Sequence, residues 1–202
     1  MIHETEGGVC AARGFQAGAV RCGIKASSEK DDTAVIWSEV PCAAAAVYTR
    51  NRVQAAPIQV TKAHLADGRA QAVIINSGNA NACAPDGPEN AKREGKACAS
   101  LLGIDENDVI VCSTGVIGQR LNIEALEKNL PKLTLSPEGS GLAAAAIMTT
   151  DTVPKTMAVE FTAGGRLCRL GGICKGSGMI HPNMGTLSLI HISEPTRHAQ
   201  IS

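Results

Sequence analysis

Residues Lys175 to Thr186 read KGSGMIHPNMGT, and the rest of the chain is organised around this stretch. Gly176 and Gly178 carry no side chain, so a ligand or another backbone segment can approach Lys175 closely. Pro182 fixes its own φ angle and favours an extended conformation for the residue before it. The stretch therefore predicts a restrained loop that follows one strand and leads into another.

The Gly185–Thr186 junction has the chemistry of a self-cleaving bond. Gly185 can adopt the strained backbone angles that such a bond requires. A hydroxyl is a weak nucleophile without an adjacent base, and cleavage would give Thr186 a free α-amino group as that base. The pKa of this amino group is about 7.7–8.0, so it is partly neutral near neutral pH. A plain Gly/Pro loop between strands is the competing interpretation.

Composition is that of an ordinary globular protein and argues against several partners. Of 202 residues, 44% are hydrophobic and 19% are charged. Nineteen basic residues balance nineteen acidic ones, which argues against nucleic acid or a membrane surface as partner. The N-terminus has no leader pattern, and no apolar run is long enough for a membrane span. We expect a cytoplasmic protein, or an organelle-matrix protein in a eukaryote.

The cysteine pattern predicts free thiols and no metal site. No CxxC occurs, and no His lies at zinc-ligand spacing from a Cys pair. Several cysteines lie in apolar runs, which indicates burial in a reducing compartment. The eight cysteines are Cys10, Cys22, Cys42, Cys83, Cys98, Cys112, Cys168 and Cys174.

Strand and helix patterns alternate along the chain, which predicts an α/β or α+β class. Short runs of β-branched and apolar residues indicate strands, and apolar residues at helical spacing indicate helices. Strands are expected at 32–37, 43–48, 71–75 and 109–112, and helices at 55–65 and 89–102. Two further helices are expected to begin with Asn122 and with Ser136 as their N-caps. Strands at 157–161 and 166–173 are expected to form a hairpin around residues 163–165 that leads to Lys175.

Two polar turns are predicted directly after two of these strands. The amide-rich turn NSGNANA, residues 76–82, can cap itself or bind a ligand carbonyl or carboxylate, and both alternatives stay open. Ser113, Thr114 and Gly115 present hydroxyls and backbone N–H groups that suit an oxyanion hole. This second turn lacks the lysine and spacing of a P-loop, and a plain strand–helix connection is the alternative.

With NSGNANA, STGVIG, IMTTDT and KGSGMIHPNMGT in this order, the chain resembles the ornithine acetyltransferase family over residues 8 to 186. These are bifunctional glutamate N-acetyltransferases of arginine biosynthesis. The resemblance implies an α+β layered sandwich of the N-terminal-nucleophile type. It also implies a precursor that cuts itself at Gly185–Thr186, and a heterotetramer of two α and two β chains. No metal and no cofactor are implied.

The resemblance also assigns roles to residues. Thr186 matches the nucleophile, which binds substrate and attacks the acetyl carbonyl of N-acetylornithine while its freed amino group accepts the proton. Thr114 and Gly115 match the oxyanion-hole pair, and Thr149 and Lys175 match substrate-binding residues. Glutamate then accepts the acetyl group, and this amide–ester–amide exchange needs no ATP. Some family members also accept acetyl-CoA, and the sequence leaves open whether this chain does.

Two departures from the family affect what is expected of the chain. Many members have Ala where this chain has Gly185, a change that should still permit cleavage. Residues 1–185 then correspond to an α chain, and 186–202 to the start of a β chain that is otherwise absent. We therefore expect the 202-residue chain to be inactive by itself and to expose an apolar surface where the β chain belongs.

The tail LSLIHISEPTRHAQIS, residues 187–202, is predicted to be non-native. Its first part, LSLIHISEPTR, resembles the translation of an adapter used in sequencing libraries. In the family, a buried core strand follows the nucleophile. Pro195 would remove a hydrogen bond from that strand, and the charged residues around it would be costly to bury. We expect the tail to be loosely placed.

Two other functions remain open at this stage. An N-terminal-nucleophile aminopeptidase or amidohydrolase would hydrolyse the acyl-enzyme, so acetate release would outrun acetyl transfer to glutamate. A non-catalytic small-molecule-binding domain would use the Asn-rich and STG turns and would not cleave itself.

Overall fold

The computed structural model of the protein describes residues 2–25, 28–176, 187–193 and 199–201. Within these residues the chain forms four α-helices and nine strands of one mixed sheet. The helices are α1 (Ala56–His64), α2 (Gly87–Leu102), α3 (Ile123–Asn129) and α4 (Ser140–Ala146). The strands are β1 (Ile2–Glu4), β2 (Phe15–Val20), β3 (Thr33–Ala44), β4 (Arg69–Asn79), β5 (Val109–Val116), β6 (Lys155–Ala163), β7 (Arg166–Lys175), β8 (Leu187–Ser193) and β9 (Ala199–Ile201).

The order of strands across the sheet is β1-β6-β7-β8-β9-β3-β4-β5, and β2 pairs with β3 outside this path. The β4–β5 pair is parallel, whereas β2–β3, β3–β4 and β6–β7 are antiparallel. Parallel neighbours need a crossover connection, and α2 supplies it between β4 and β5. The carboxyl ends of β4 and β5 therefore lie side by side.

Helices cover both faces of the sheet. Along β4, Ile74 packs into a core cluster with residues of α1, α2 and α3, whereas Val73 and Ile75 pack with residues of α4. Successive side chains of a strand point to opposite faces, so one strand contributes to both cores. This layering confirms the α+β sandwich expected from the sequence. No helix within the described ranges is long and apolar enough to cross a membrane.

Several predicted elements are confirmed. The helices expected at 55–65 and 89–102 are α1 and α2, and the 157–173 hairpin is β6–β7. Asn122 caps α3, because its side-chain oxygen accepts a hydrogen bond from Ala125 N at 3.1 Å. Gly164 and Gly165 form the hairpin turn with φ angles of +57° and +76°. This hairpin ends at Lys175, as predicted.

The strand expected at 43–48 is wrong, because those residues do not start a new element. Instead β3 continues through Ala44, with a register shift against β4 between Trp37 and Cys42. The shift lets one long strand bend and keep pairing beyond Pro41. Residues 45–50 have no regular secondary structure.

The helix expected from Ser136 and Pro137 begins four residues later, at Ser140. Ser136 instead exchanges two backbone hydrogen bonds of 3.0 Å with Ala17 on β2. Its hydroxyl accepts from Glu138 N at 3.0 Å, which closes a local turn. The serine is therefore used in a β-bridge and a turn, and it does not cap the helix.

Part of the tail pairs with the sheet. Leu187–Ser193 forms β8, which pairs antiparallel with β7 from Leu187 opposite Lys175 to Ser193 opposite Arg169. The non-native origin and loose placement of the tail stay predictions. Pro195 lies outside the described residues.

Candidate active site

The predicted oxyanion pair lies where β4 and β5 end together. Thr114 is in register with Ser77, and Gly115 with Gly78. The two turns predicted from the sequence are therefore the last residues of two paired strands, with an irregularity at Asn79. The parallel pairing of β4 with β5 continues into both segments. This is why they are strand ends and not free turns.

Glycine is required at positions 78 and 115, which are in register on β4 and β5. Gly115 has a φ of +134°, and a β-carbon there would lie 2.3 Å from the carbonyl carbon of Gly78. Gly78 has a φ of +105°, and its β-carbon would lie 2.8 Å from Cγ of Lys25. Real β-carbons do not approach other atoms this closely. The backbones of residues 76–79 (the NSGN segment) and 113–115 (the STG segment) are therefore in direct contact.

The amide side chains of the first segment mainly hold its own shape. Asn76 Nδ2 donates to Asn79 O at 2.8 Å, and Asn79 Oδ1 accepts from Asn81 N at 2.7 Å. Asn79 Nδ2 also donates to the carbonyl oxygens of Gln119 and Arg120, both at 3.2 Å. For Asn79 this favours the self-capped structural role that the sequence left open.

Ser77 links the end of α4 to β4 by a hydrogen bond. Its hydroxyl donates to Ala146 O, and its backbone N donates to Asp32 O at 2.7 Å. Ala146 is the last residue of α4, and Thr149 follows three residues later in a half-buried position. The predicted substrate-binding threonine therefore continues from a helix end that is fixed to the NSGN segment.

Sequence reasoning missed a buried carboxylate that shapes the neighbouring loop. Asp32 is fully buried, and its carboxylate accepts hydrogen bonds from four successive backbone N–H groups. These hydrogen bonds fix the loop before β3 and hold Cγ of Lys25 next to the backbone of Gly78. The signal available in the sequence was an aspartate that directly precedes a buried strand and follows a Gly-Ile-Lys segment. The four donors are Cys22 N (2.7 Å), Gly23 N (3.0 Å), Ile24 N (2.7 Å) and Lys25 N (3.0 Å).

Lys175, at the end of β7, is buried and paired. It is only 7% exposed, and its Nζ lies 3.3 Å from Asp151 Oδ2. Asp151 Oδ1 also accepts from Gly176 N at 2.8 Å and from the Lys155 ammonium. Burial alone would raise the pKa of Asp151, but the hydrogen bonds from Lys155 and Gly176 and the charge of Lys175 hold that pKa well below its ordinary value.

These contacts connect four of the six predicted site residues. Thr114 and Gly115 abut residues 76–79, and α4 leads from that segment to Thr149. Asp151, two residues beyond Thr149, pairs with Lys175. Gly185 and Thr186, the predicted cleavage site and nucleophile, lie outside the described residues. In the described part of the chain, no group of three or more acidic, His or Cys side chains could hold a metal ion.

The fold and the site define this protein as an α+β layered sandwich of the ornithine acetyltransferase type. The chain belongs to the ArgJ family, whose match spans residues 16–194. Two solved structures are similar to it. One is the arginine biosynthesis bifunctional protein ArgJ of Bacillus halodurans, with a TM-score of 0.86, 40% identity, and coverage of 91% of this chain and 97% of that one. The other is ornithine acetyltransferase of Mycobacterium tuberculosis complexed with ornithine, with a TM-score of 0.81, 39% identity, and coverage of 90% and 98%.

Curated relatives are longer than this chain. It is 48% identical over 189 residues to the arginine biosynthesis bifunctional protein ArgJ of a Synechococcus species, covering 91% of this chain and 45% of the relative. The Bacillus subtilis protein of the same name is 46% identical, with coverage of 93% and 46%. The chloroplastic ArgJ of Zea mays is 42% identical, with coverage of 98% and 43%. The chain thus spans about half the length of the curated relatives it matches.

Proposed function

We propose that the full-length protein transfers an acetyl group from N-acetylornithine to glutamate in arginine biosynthesis. In this proposal Thr186 is the nucleophile and carries the acetyl group as an ester between the two half-reactions. Relatives known as arginine biosynthesis bifunctional proteins support the proposal, as does the similar ornithine acetyltransferase that was solved in complex with ornithine.

The chemistry uses the new N-terminus and the ends of β4 and β5. Thr186 Oγ attacks the acetyl carbonyl while its own α-amino group accepts the hydroxyl proton. Thr114 and Gly115 donate hydrogen bonds to the oxyanion as it develops. The proton returns to the departing amine of ornithine, and the α-amine of glutamate then attacks the ester. An acetyl-CoA thioester is a second donor that could load the same threonine.

The observation that carries the proposal is the contact between the Gly115 and Gly78 backbones. An oxyanion hole works because its donors are fixed before the charge forms. Here a β-carbon on Gly115 would lie 2.3 Å from Gly78, so the STG segment has no freedom to move toward its neighbour. Thr149 and Lys175 are then the substrate-binding residues on the sides of the site.

We further propose that the protein is made as a precursor that cleaves itself between Gly185 and Thr186. Residues 1–185 form the α chain, and 186–202 mark the start of the β chain, with 187–202 as a non-native tail. Val116 and Ile117, which are 41% and 42% exposed beside the oxyanion pair, offer apolar surface to a β chain. The assembly contains two α and two β chains, and the described stretch alone is inactive.

The proposed location is the cytoplasm, or the matrix of an organelle in a eukaryote. Bacterial relatives and plant relatives named as chloroplastic both match the chain over most of its length.

Intact-mass analysis of the purified full-length protein tests this function. We expect two chains, the second beginning at Thr186, and acetyl transfer to glutamate that is faster than acetate release. The Thr186→Ala variant should stay uncut and inactive. A single uncut chain that still transfers acetyl would overturn the nucleophile assignment. Acetate release faster than transfer would indicate an amidohydrolase.

A further inference from the structure

Asp32 is a fully buried carboxylate that the acetyl-transfer chemistry above does not use. It directly precedes β3, and its side chain accepts hydrogen bonds from the backbone N–H groups of residues 22–25 at 2.7–3.0 Å. The Thr33 hydroxyl adds a longer hydrogen bond of 3.3 Å. A buried charge is costly unless such donors compensate it. The carboxylate and the loop before β3 therefore stabilise each other.

The backbone of Asp32 binds the end of β4. Its carbonyl oxygen accepts a hydrogen bond from Ser77 N at 2.7 Å. Ser77 belongs to the NSGN segment and is in register with Thr114 of the oxyanion pair. One residue thus holds the loop before β3 with its side chain and the NSGN segment with its main chain.

A closed ring of hydrogen bonds connects these two attachments. The backbone N–H of Lys25 binds the Asp32 carboxylate, and Lys25 Nζ donates to Ala146 O at 3.1 Å. The Ser77 hydroxyl donates to the same carbonyl of Ala146, and Ser77 N returns to Asp32 O. We call this set of four residues the Asp32 ring. Because each member is bonded to two others, movement of one member disturbs its neighbours.

The Asp32 ring borders the backbone of Gly78, which in turn fixes Gly115. A β-carbon on Gly78 would lie 2.8 Å from Lys25 Cγ and 3.2 Å from Lys25 N. A β-carbon on Gly115 would lie 2.3 Å from the Gly78 carbonyl carbon and 2.5 Å from Asn79 N. Gly78 is therefore in close contact with the loop that Asp32 holds and also with the STG segment. A shift of that loop would give Gly78, and Gly115 with it, room to move.

We propose that Asp32 is a positioning residue for the oxyanion hole and acts through Ser77 and Gly78 on Thr114 and Gly115. This inference rests on the proposed acetyl transfer and on the oxyanion pair assigned above. Oxyanion donors are effective because they are fixed before the charge develops. A misplacement of about 1 Å can cost on the order of 10²-fold in rate, even when the mutated residue is remote from the chemistry.

A double-mutant cycle in the full-length enzyme tests this role. Asp32→Asn replaces one acceptor oxygen by an NH2 group that cannot accept the backbone N–H bonds. We expect a kcat about 10- to 100-fold lower per processed chain, with KM for N-acetylornithine changed less than about twofold. In the Thr114→Ala background the effect of Asp32→Asn on kcat should be at least about threefold smaller, because one of the donors that it positions is already missing.

Two control variants separate positioning from loss of stability. Asp105→Asn removes an exposed carboxylate that also accepts a backbone N–H, from Asn107 at 2.9 Å, and should leave kcat unchanged. Val109→Ala opens a void in the core at the start of β5, the opposite end of that strand from Gly115. It should lower the free energy of unfolding and leave kcat unchanged. Effects of Asp32→Asn and Thr114→Ala that simply multiply, or an Asp32→Asn effect confined to KM, would overturn the proposal.

Ser77→Ala provides the test if Asp32→Asn does not fold or is not processed. It deletes the hydroxyl bond to Ala146 O and keeps the backbone bond to Asp32 O. We expect a kcat about 3- to 10-fold lower, the size of one hydrogen bond, and a smaller effect in the Thr114→Ala background. Unchanged turnover in Ser77→Ala would overturn the Asp32 ring while acetyl transfer stands. Unchanged turnover in Thr114→Ala alone would instead overturn the oxyanion pair, and the role of Asp32 with it.

Discussion

Gly115 and Gly78 are in register on adjacent parallel strands, and their backbones are so close that a β-carbon on Gly115 would lie 2.3 Å from the Gly78 carbonyl carbon. Both residues have positive φ angles, +134° and +105°. The pair therefore combines a steric demand with a conformational one, and each demand alone favours glycine.

Gly115→Ala should reduce acetyl transfer by a factor of 100 or more, on the order of the loss of one oxyanion donor, because the strand must shift to admit the methyl group. It should also lower the free energy of unfolding by about 1–3 kcal/mol, since the new residue has a disfavoured φ. Steady-state kinetics and urea unfolding measure the two effects. Gly141→Ala is the control, because Gly141 lies in α4 with no atom within 4 Å of a β-carbon. Equal effects in the two variants would contradict the proposed contact.

Thr114→Ala should lower kcat strongly and KM little. Loss of one oxyanion donor typically costs about 2.7–4 kcal/mol, or roughly 10²–10³ in turnover. Thr152→Ala, an exposed threonine beyond the end of α4, is the matched control. If only KM changes, Thr114 is a substrate contact and its assignment to the oxyanion hole is wrong.

Glu94 should make the protein less stable as the pH rises. It is fully buried in α2, and burial raises its pKa well above the ordinary value. Within the described residues, neither of its carboxylate oxygens has a hydrogen-bond partner. The folded protein thus keeps this proton at a pH where the unfolded chain has lost it. The free energy of unfolding should fall by about 1.4 kcal/mol per pH unit from about pH 4.3 up to the folded pKa.

Glu94→Gln should abolish this slope, as measured by urea unfolding between pH 5 and 8. Glu89→Gln, an exposed site on the same helix, should keep it. A wild-type protein with no slope in this range would show that Glu94 is ionised in the folded state, contrary to its burial.

Asp151 should stabilise the fold above the pKa of an unfolded aspartate, and this stabilisation should disappear as the pH falls. Its pKa is held well below the ordinary value of about 3.9, so the folded state resists protonation that the unfolded chain accepts. Asp151→Asn should lower the free energy of unfolding at pH 7 by about 1–3 kcal/mol, because Lys175 then stays buried without its counter-charge. The variant should also lose less stability between pH 5 and 3 than the wild type. Asp67→Asn, at an exposed position, serves as the control. If the wild type and Asp151→Asn lose the same free energy of unfolding between pH 5 and 3, this account is contradicted.

Sequencing of the source locus across codon 186 should reveal a different continuation from LSLIHISEPTR. The pairing of Leu187–Ser193 with β7 does not argue against this, because a free strand edge accepts many alternating segments. Genomic reads that continue into HISEPTR would contradict the prediction.

The sequence predicted the parts of this protein that depend on local chemistry. Asn122 as a helix cap, the Ala163–Gly165 hairpin turn and the polar ends of β4 and β5 all follow from neighbouring residues. The requirement for glycine at position 115 does not, because it comes from a strand that lies 37 residues earlier in the chain.

The positions of Ser136 and Lys25 could not be predicted from the sequence, because contacts with distant residues fix both. Ser136 has the sequence of a helix cap, but a partner on β2 binds its backbone instead. Lys25 is one of many lysines in the sequence, and only the burial of Asp32 and the end of α4 fix its position. In each case a distant contact outweighs the local preference.

The distribution of thiols gives this protein a ready position for a spectroscopic label. All eight cysteines lie in the described part of the chain, and Cys83 is the one among them that is exposed, which corrects the expectation that all are buried. Burial raises the pKa of Cys10 and Cys22 to about 11 and that of Cys112 to about 12, so these thiols react slowly at neutral pH. A maleimide dye should therefore attach at Cys83 without mutagenesis. Its fluorescence would report on the Asn79–Asn81 turn two residues away.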